Sequence, residues 1–511
     1  MDYILQHLTI IDITIYSIIS LLFFFVLFRF HRKPYPPGPR GWPLIGIMLK
    51  MDQLTHRGLA NLADKYGGLL HFRVGSIHMM VVSTPDVARE VLKVQDNIFS
   101  NRPSSVAIRY LTYGQSDMAF AHSGPLWKQM RTLCIMKLFS KKRAESWDSV
   151  RFEIDQFIQS ISIHVGTDIN LGEMVYGLTH DIVYRAAFGS TSSEEKEEFI
   201  KIMQDFSHLF GAFNIVDFLP FLHWIDPQGF KTKLPKARDG LDRYIDKIID
   251  DHIRKEKVND INKSGSDMVD ELLVFYDDEA NPGRSHIKDE SMKFTRDNIK
   301  AIIMDVMFGG TETVAGVIEW AMAELLHSPE DLHRVQQELT NVVGLDRQVE
   351  EQDFENLTYL KCALKETLRL HPPVPLLFHE NANTTTVTGY HVPAKSRIMI
   401  NLWAIGRDKS SWTDPETFKP SRFLYDGAPN YKDGNFEFIP FGSGRRSCPG
   451  MQLGLYTVEL ALARLLHSFT WGLSGGMKSS DLDMSDTFGL AAPRATRLIA
   501  IPTPRLHCGL C

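Results

Sequence analysis

The chain has 511 residues, of which 44% are hydrophobic and 23% charged, so it can bury a large core and is not a disordered polypeptide. A net charge of −6 gives no reason to expect a nucleic-acid partner. Five scattered cysteines favour neither a disulfide framework nor a four-cysteine zinc site. We therefore expect one large globular unit in a reducing compartment.

Residues 1–30 are predicted to form a membrane anchor. Residues 13–28 carry no charge and, with the apolar residues before them, approach the ~20 residues that a bilayer crossing needs. Arg29 and Lys33 follow this stretch, which places the body of the protein in the cytoplasm. A cleaved signal peptide would carry its basic residues before the apolar run, so it is the weaker interpretation.

A proline-rich hinge over 31–43 follows, because Pro34-Tyr35-Pro36-Pro37-Gly38-Pro39 is stiff and cannot be helical. The rest of the chain, 44–511, is predicted to be the catalytic domain. Its first part combines a helix (56–66), two strands (69–74 and 78–82) and a helix that Pro85 opens and that runs to Val94.

The next helix begins at Trp127 and places Trp127 and Arg131 on one face. Taken alone, this is a partly exposed cation–aromatic pair. No acidic residue occurs between Met118 and Ala144, whereas six basic residues do. This run is either a solvated face or a docking surface for an acidic electron donor. Amphipathic helices are predicted over 150–250.

The longest predicted helix spans 297–327 and contains Gly309, Gly310, Glu312 and Thr313. Each glycine costs about 1 kcal/mol relative to alanine inside a helix. Two interpretations fit such a sequence. It is either a packing notch where another helix crosses, or a local widening that leaves room for a small ligand beside a carboxylate and a hydroxyl able to supply protons.

A further predicted helix over 360–370 contains Glu366 and Arg369. A lone Glu-x-x-Arg sequence is most often a surface ion pair that contributes little. Near the C-terminus, the spacing Phe441-x-x-Gly444-x-Arg446-x-Cys448-x-Gly450 precedes another predicted helix. The neighbouring arginines and the helix N-terminus both favour a thiolate at Cys448. The ordinary alternative is a buried core cysteine.

The Cys448 sequence resembles the signature of the cytochrome P-450 family of haem-thiolate monooxygenases. The resemblance implies a mostly α (α+β) fold with small sheets at one side and haem b between the 297–327 helix and the Cys448 loop. Cys448 would then be the axial thiolate ligand of the haem iron. The other cofactor-binding residues that it implies are Trp127, Arg131, Gly309, Phe441, Arg446 and Gly450. In the family, the Trp-x-x-x-Arg pair contacts a haem propionate.

The same resemblance assigns catalytic proton delivery to Glu312 and Thr313. It joins Glu366, Arg369 and Arg422 in a buried structural triad. This chain departs from the family pattern at His379, where many relatives place an arginine near a haem propionate. His379 is a candidate to replace that arginine.

Stretches such as MDQLTHRGLANLA and FGAFN, spread over nearly the whole chain, resemble plant members of the family that hydroxylate guaiacyl phenylpropanoids at the ring 5-position. Their substrates, coniferaldehyde, coniferyl alcohol and ferulate, lead to syringyl lignin. The predicted substrate-pocket residues are Val106, Tyr110, Phe210, Phe213, Met304, Phe308, Val374, Leu377, Phe488 and Leu490. The alternatives are a flavonoid B-ring hydroxylase and, from another class, a haem-thiolate isomerase or haem-binding sensor that does not activate oxygen.

The implied partners are dioxygen, a small phenolic substrate, a membrane and an NADPH–cytochrome reductase, a flavoprotein that passes electrons from NADPH. The implied location is the endoplasmic reticulum membrane, crossed once, with the catalytic domain facing the cytoplasm.

Overall fold

The computed structural model of the protein describes residues 34–140, 148–188, 202, 206, 209–210, 212–258, 267–276, 293–432 and 434–507. The predicted anchor over 1–30 and the start of the hinge lie outside the described residues. The described part of the chain is mostly helical with three small sheets, which confirms the predicted fold class.

The α-helices are α1 (His56–Tyr66), α2 (Pro85–Arg89), α3 (Val106–Leu111), α4 (Pro125–Lys137), α5 (Asp148–Ser162), α6 (Leu171–Phe188), α7 (Phe230–Val258), α8 (Met268–Leu273), α9 (Arg296–His327), α10 (Pro329–Val343), α11 (Thr358–Leu370), α12 (Leu402–Ile405) and α13 (Met451–Ser468). A π-helical turn, Glu90–Val94, continues α2, where the sequence predicts a single helix. Short 3₁₀ turns occupy Met48–Leu54, Ile215–Asp217, Pro220–Leu222, Glu351–Asn356, Pro420–Phe423, Gly444–Arg446, Ser474–Gly476 and Ser479–Asp481.

The strands are β1 (Leu69–Val74), β2 (Ile77–Val82), β3 (Ile169–Asn170), β4 (Leu376–Glu380), β5 (Thr385–Val387), β6 (Tyr390–Val392), β7 (Arg397–Asn401), β8 (Phe469–Leu473) and β9 (Ile499–Pro504). The largest sheet has the order β1-β2-β7-β4, in which β2 and β7 are parallel and the other pairs antiparallel. The others have the orders β3-β9-β8 and β5-β6.

Helix α9 runs through the centre of the protein. Its N-terminus is fixed by a capping box, in which the Thr295 hydroxyl accepts from the Asn298 amide and the Asn298 side chain accepts from the Thr295 amide. Pro329 follows Ser328 and begins the next helix, so α9 ends at His327. The first half of α9 packs into one hydrophobic core and the second half into another.

Of the helices in the described ranges, α9 is the one that is long and apolar enough to cross a membrane. Most of its apolar stretch is buried inside the protein, as in the core helix of a globular domain.

Candidate active site

The segment between β7 and α13 brings Cys448 to the N-terminus of α13. Cys448 N–H donates to the Phe441 carbonyl at 2.8 Å, which closes a tight loop. Gly444 has a φ of +70° and lies so close to Leu92 that a Cβ atom would stand 2.2 Å from the Leu92 carbonyl oxygen. A side chain at position 444 would therefore displace backbone as well as strain the residue itself. The geometry of the loop therefore requires glycine at position 444, one of the signature positions.

Cys448 is solvent-exposed although the protein encloses it on all sides, so its sulfur faces an internal space. Burial raises the pKa of the Cys448 thiol, while the Gly450 N–H and Arg131 act in the opposite direction. The sequence-based expectation that Arg445 and Arg446 favour the thiolate is therefore wrong. Arg445 pairs with Asp96 at 3.1 Å, and Arg446 points toward backbone carbonyls elsewhere.

A strip of α9 over 308–314 lines the same region. The residues of α9 before and after this strip are mostly buried. Within the strip, Gly309 and Glu312 are exposed and the other residues are half-buried. Gly454 at the start of α13 lies against Val314, with its Cβ position 3.8 Å from the Val314 Cγ2, so the Cys448 loop and the strip are neighbours.

The two glycines of the strip have different roles. A Cβ atom on Gly310 would stand 2.9 Å from Val183 Cγ2 on α6, whereas a Cβ on Gly309 would meet nothing within 4 Å. Gly310 is therefore the packing notch that one interpretation of the sequence expects. Gly309 borders the open space, but without the local widening of the helix that the other interpretation expects. Helix α9 is uninterrupted here and shows no widening. The Thr313 hydroxyl donates to the Gly309 carbonyl at 2.6 Å.

Three arginines surround the Cys448 side of this space. Arg131 donates through Nη2 to the Ser447 carbonyl at 2.6 Å, and Arg446 donates through Nε to the Ser100 carbonyl at 2.7 Å. Arg102 bonds to the Phe378 carbonyl and, at 3.2 Å, to the Ala119 carbonyl. Within the described ranges, none of the three guanidinium groups has a carboxylate at ion-pair distance. We call Arg102, Arg131 and Arg446 the arginine cradle.

Burial and mutual repulsion destabilise the positive charges of the cradle. Burial, then Arg102, lowers the pKa of Arg446 to about 9. Burial, then Arg131, lowers the pKa of Arg102 to about 10, and burial also lowers the pKa of Arg131. Buried cations held mainly by carbonyl groups create a strong preference for an anionic ligand with carboxylate geometry.

Sequence reasoning missed Arg102 and chose His379 instead. His379 is buried beside Arg102, shares a 2.8 Å hydrogen bond with the Phe99 carbonyl through Nδ1, and has its pKa lowered to about 3, mainly by burial. It is therefore neutral in the structure, whereas the guanidinium group of Arg102, which bonds to the Phe378 carbonyl, supplies a positive charge next to His379. The predicted donor Trp127 also has another partner, because its Nε1 donates to the Met118 carbonyl at 3.0 Å.

A sequence model of the family described as Cytochrome P450 matches residues 36–498. The chain belongs to the cytochrome P450 family. It is 63% identical over 500 residues to "Cytochrome P450 84A1" from Arabidopsis thaliana, covering 96% of each chain. It is 56% identical to "Cytochrome P450 84A4" from the same plant, covering 93% of each.

The structure is similar to a zebrafish cytochrome P450 solved with abiraterone, with a TM-score of 0.73 and 26% sequence identity. The match covers 88% of this chain and 99% of the zebrafish chain. The chain is accordingly a dioxygen-dependent haem-thiolate monooxygenase. Cytochromes P450 use haem b with a cysteine thiolate ligand and receive electrons from NADPH through a reductase.

The residues at this site fit haem b. Cys448 offers a sulfur to the internal space, Gly309 and Gly450 leave room there, and the arginine cradle matches the two carboxylates of a haem. We therefore propose Cys448 as the metal ligand, and Arg131, Arg446 and Arg102 as the groups that hold the propionates. Coordination would deprotonate the thiol despite the raised pKa.

The structure brings together the three residues of the predicted triad. Glu366 accepts two hydrogen bonds from Arg369 and one from Arg422, all at 2.8 Å. The Glu366 and Arg369 side chains are completely buried. The ring of Trp412 lies 5.2 Å from the Arg369 guanidinium carbon. The triad joins α11 to the turn that carries Arg422, and Phe423 of that turn packs against Phe438, with ring centroids 5.2 Å apart.

Some predicted pocket residues converge and others do not. Phe210 and Phe308 stack with centroids 6.1 Å apart, next to the buried Met304, and Leu377 contacts the Cys448 loop at Gly442. The predicted pocket residues that are exposed instead are Val106, Tyr110, Phe213, Phe488 and Leu490. Val374 is half-buried.

Phe488 and Leu490 lie on a loop that is fixed to α1 by Asp486. The Asp486 carboxylate pairs with His56 at 3.2 Å and with Arg57 at 2.8 Å. Burial opposes ionisation of Asp486, but the hydrogen bonds from these two residues hold its pKa well below the ordinary value.

Proposed function

We propose that the enzyme hydroxylates the aromatic ring of guaiacyl phenylpropanoids (coniferaldehyde, coniferyl alcohol and ferulate) at the 5-position, in the route to syringyl lignin. The observation that carries this proposal is the resemblance of stretches over nearly the whole chain to the plant ferulate 5-hydroxylases. The 63% identity to an Arabidopsis relative over almost the full length supports a role shared with that plant relative.

The aromatic wall above the α9 strip suits such a substrate. The ring centroid of Phe308 lies 5.1 Å from that of Phe206 and 6.1 Å from that of Phe210. The Phe120 ring packs edge-on against Phe210, with centroids 4.8 Å apart. Planar phenolic rings pack favourably against aromatic rings in stacked or edge-to-face geometry. The wall is next to Gly309, so a ring that packs on it would lie beside the open part of the strip.

Haem, when bound, supplies the chemistry that activates dioxygen, consumes two electrons and two protons, and inserts one oxygen atom into the substrate while the other leaves as water. We propose that Glu312 and Thr313 of α9 deliver the protons. The Thr313 hydroxyl donates to the Gly309 carbonyl at 2.6 Å, which leaves its oxygen able to accept a hydrogen bond from water or from Glu312. To pass a proton on, the hydroxyl turns its own O–H from Gly309 toward the site while it takes up a proton from that donor. The aromatic wall excludes water from the side where the ring binds.

An acidic reductase is the proposed electron donor, and the face of α4 is its proposed docking surface. Lys128 and Lys137 are exposed there, near the exposed apolar residues Leu126 and Met136. The rest of the basic run, from Lys141 on, lies outside the described residues. Lys128→Glu with Lys137→Glu is expected to slow reduction by the reductase about tenfold or more at low salt. Lys478→Glu, an exposed lysine in another part of the chain, is the matched control.

We also propose attachment to the endoplasmic reticulum membrane by the N-terminal apolar stretch, with the catalytic domain in the cytoplasm. An exposed apolar face supports this proposal. Trp42 and Leu44 are 68% and 83% exposed, and Trp224 and Phe221 are 72% and 64% exposed. Both pairs of exposed residues lie near Gly75. The Gly75 amide donates to the carbonyl of Ile45, which follows Leu44, and Gly75 also contacts Phe218, which precedes Phe221. Apolar patches of this kind indicate a membrane or protein contact.

The deciding experiment is a competition turnover assay in microsomes that contain the enzyme, a reductase and NADPH, with coniferaldehyde, coniferyl alcohol, ferulate and a flavanone offered together. A 5-hydroxyguaiacyl product is expected. Flavonoid products alone would keep the monooxygenase chemistry and refute the substrate. No product from any of them, with a normal reduced-CO absorption band, would refute the role as a hydroxylase of these compounds.

A further inference from the structure

The loop 117–121 connects the substrate side of the site to the cofactor side, and neither the sequence motifs nor the proposed mechanism uses it. Its backbone amides face two carboxylates. Met118 N–H and Ala119 N–H donate to Asp305 Oδ2 at 2.7 and 3.1 Å, and Phe120 N–H donates to Asp117 Oδ2 at 2.9 Å. Asp305 belongs to α9, one residue after the predicted pocket residue Met304.

The carbonyl groups of the same loop face the arginine cradle. The Met118 carbonyl accepts from Trp127 Nε1 at 3.0 Å and from Arg446 Nη1 at 3.3 Å. The Ala119 carbonyl accepts from Arg102 Nε at 3.2 Å. These bonds orient Arg102, Arg446 and Trp127. The Trp127 ring centroid lies 4.0 Å from the Arg446 guanidinium carbon.

The one large aromatic side chain of the loop belongs to the substrate wall. The Phe120 ring packs edge-on against Phe210 at 4.8 Å, and Phe210 stacks on Phe308 of α9. A shift of loop 117–121 would therefore move the aromatic wall and the arginine cradle together. Sequence reasoning did not include Phe120 among the pocket residues.

The two carboxyl groups that hold this loop contact each other. Asp117 is fully buried, and Asp305 is half-buried although the protein encloses it on all sides. Asp117 Oδ1 accepts from no N–H or hydroxyl group of the described chain, and the Asp305 carboxyl group lies within hydrogen-bond reach of Asp117. Burial raises the pKa of both groups, and the charge of Asp117 raises the pKa of Asp305 further.

The charged and titratable groups that face this pair come from the surrounding elements. Arg446 from the Cys448 loop and Arg102 from the segment before α3 face Asp117, and Cys134 from α4 faces Asp305. The positive charges of the cradle stabilise one ionised carboxylate. They do not stabilise two, because the second carboxylate would be repelled by the first at close range.

We propose that Asp117 and Asp305 share one proton and act as positioning residues that lock loop 117–121, and with it the Phe120 ring of the aromatic wall on which the substrate ring packs. Asp305 is the protonated partner: one oxygen accepts from two loop amides while the hydroxyl donates to Asp117. The identity of the ring rests on the proposed function, whereas the locking of the loop does not.

The test compares Asp305→Asn, Asp305→Leu and Asp117→Asn in the full-length enzyme, with Asp297→Asn, an exposed aspartate in the first turn of α9, as the matched control. Asparagine keeps an acceptor for the loop amides and an N–H donor for Asp117, so it imitates the protonated acid. Leucine has a similar size but neither group. The readouts are the haem retained per chain, measured by the reduced-CO band, and the spectral dissociation constant of coniferaldehyde.

Asp305→Leu is expected to lower haem retention and to weaken coniferaldehyde binding by about tenfold, because buried amides lose their acceptor. Asp305→Asn should restore haem retention to within about twofold of the parent. Asp117→Asn should weaken haem retention because it removes the negative charge between the arginines. Phe120→Leu should change substrate affinity, and the preference between coniferaldehyde and ferulate, without changing haem retention.

Equal loss in Asp305→Asn and Asp305→Leu would show that Asp305 acts as a carboxylate, and would overturn the shared proton. Haem retention in Asp305→Leu equal to that of the control would overturn the locking of the loop. If the proposed substrate were wrong, the result would differ. Haem retention would change among the variants as expected, but coniferaldehyde would bind neither to the variants nor to the parent enzyme.

Discussion

The carboxylate of Glu366 is the centre of the buried triad, and Glu366→Ala is the sharpest test of what the triad contributes to stability. Glu366 accepts four hydrogen bonds at 2.8 Å, three from the guanidinium groups of Arg369 and Arg422 and one from the Lys419 amide. Arg369 and Glu366 are both fully buried, so water cannot replace the missing carboxylate.

Removing one partner of a buried ion pair costs about 3–5 kcal/mol, because an uncompensated charge remains in the interior. A typical protein has a total stability of about 5–15 kcal/mol, so Glu366→Ala should remove about a fifth of it or more. Urea unfolding followed by tryptophan fluorescence measures this loss, and the reduced-CO band reports whether the Cys448 loop survives.

The matched control is Asp251→Ala, which removes a surface pair. Arg254 and Asp251 are also 2.8 Å apart, but their side chains are 71% and 44% exposed. Exposed pairs of this kind contribute less than about 1 kcal/mol. A loss below about 1 kcal/mol in Glu366→Ala, equal to that of the control, would refute the conclusion that the buried triad stabilises the site.

Gly310→Ala should destabilise the protein by about 1–3 kcal/mol because its new methyl group clashes with Val183. Adding Val183→Ala should remove the clash and recover the lost stability, which thermal unfolding of the single and double variants measures. Thr313→Ala should lower hydroxylation by about 10²-fold and increase the share of NADPH consumed without product, which the ratio of product to NADPH measures. The ion pairs from Asp486 to the start of α1 stabilise the fold at pH values above about 4, the pKa of an aspartate in the unfolded chain, and are lost as pH falls through the lowered pKa of the folded state. Asp486→Asn should therefore flatten the acid side of the profile of unfolding free energy against pH, which urea unfolding at a series of pH values measures.

The sequence predicted most of the helical framework because its information is local. The capping residue Thr295 and the Ser328-Pro329 stop place α9 to within one residue, and the Cys448 loop has its glycines at fixed offsets. The Glu366–Arg369 pair was recognisable because its members are three residues apart on one helix, whereas Arg422 was added from the family resemblance.

What the sequence did not predict depends on contacts between distant segments. Arg102 and Asp305 have no local pattern that shows what they face, and Asp305 meets Met118 across 187 positions of the chain. One indication was available: an acidic residue in the apolar run IIMDVM must find a buried partner. The direction of the Cys448 pKa shift was also wrong, because spacing shows which charges are near in sequence but not how strongly the fold desolvates the sulfur.

The division of α9 between two hydrophobic cores has a consequence for the dynamics of the protein. A helix held firmly at both ends and loosely at 308–314 should exchange its central amide protons faster than those of either end, because the half-packed strip can open while the cores stay intact. Ligands that contact this strip stabilise only the closed form, so the hydrogen-exchange rate there should fall in proportion to their affinity. The centre of α9 would then report occupancy of the site without any catalytic turnover.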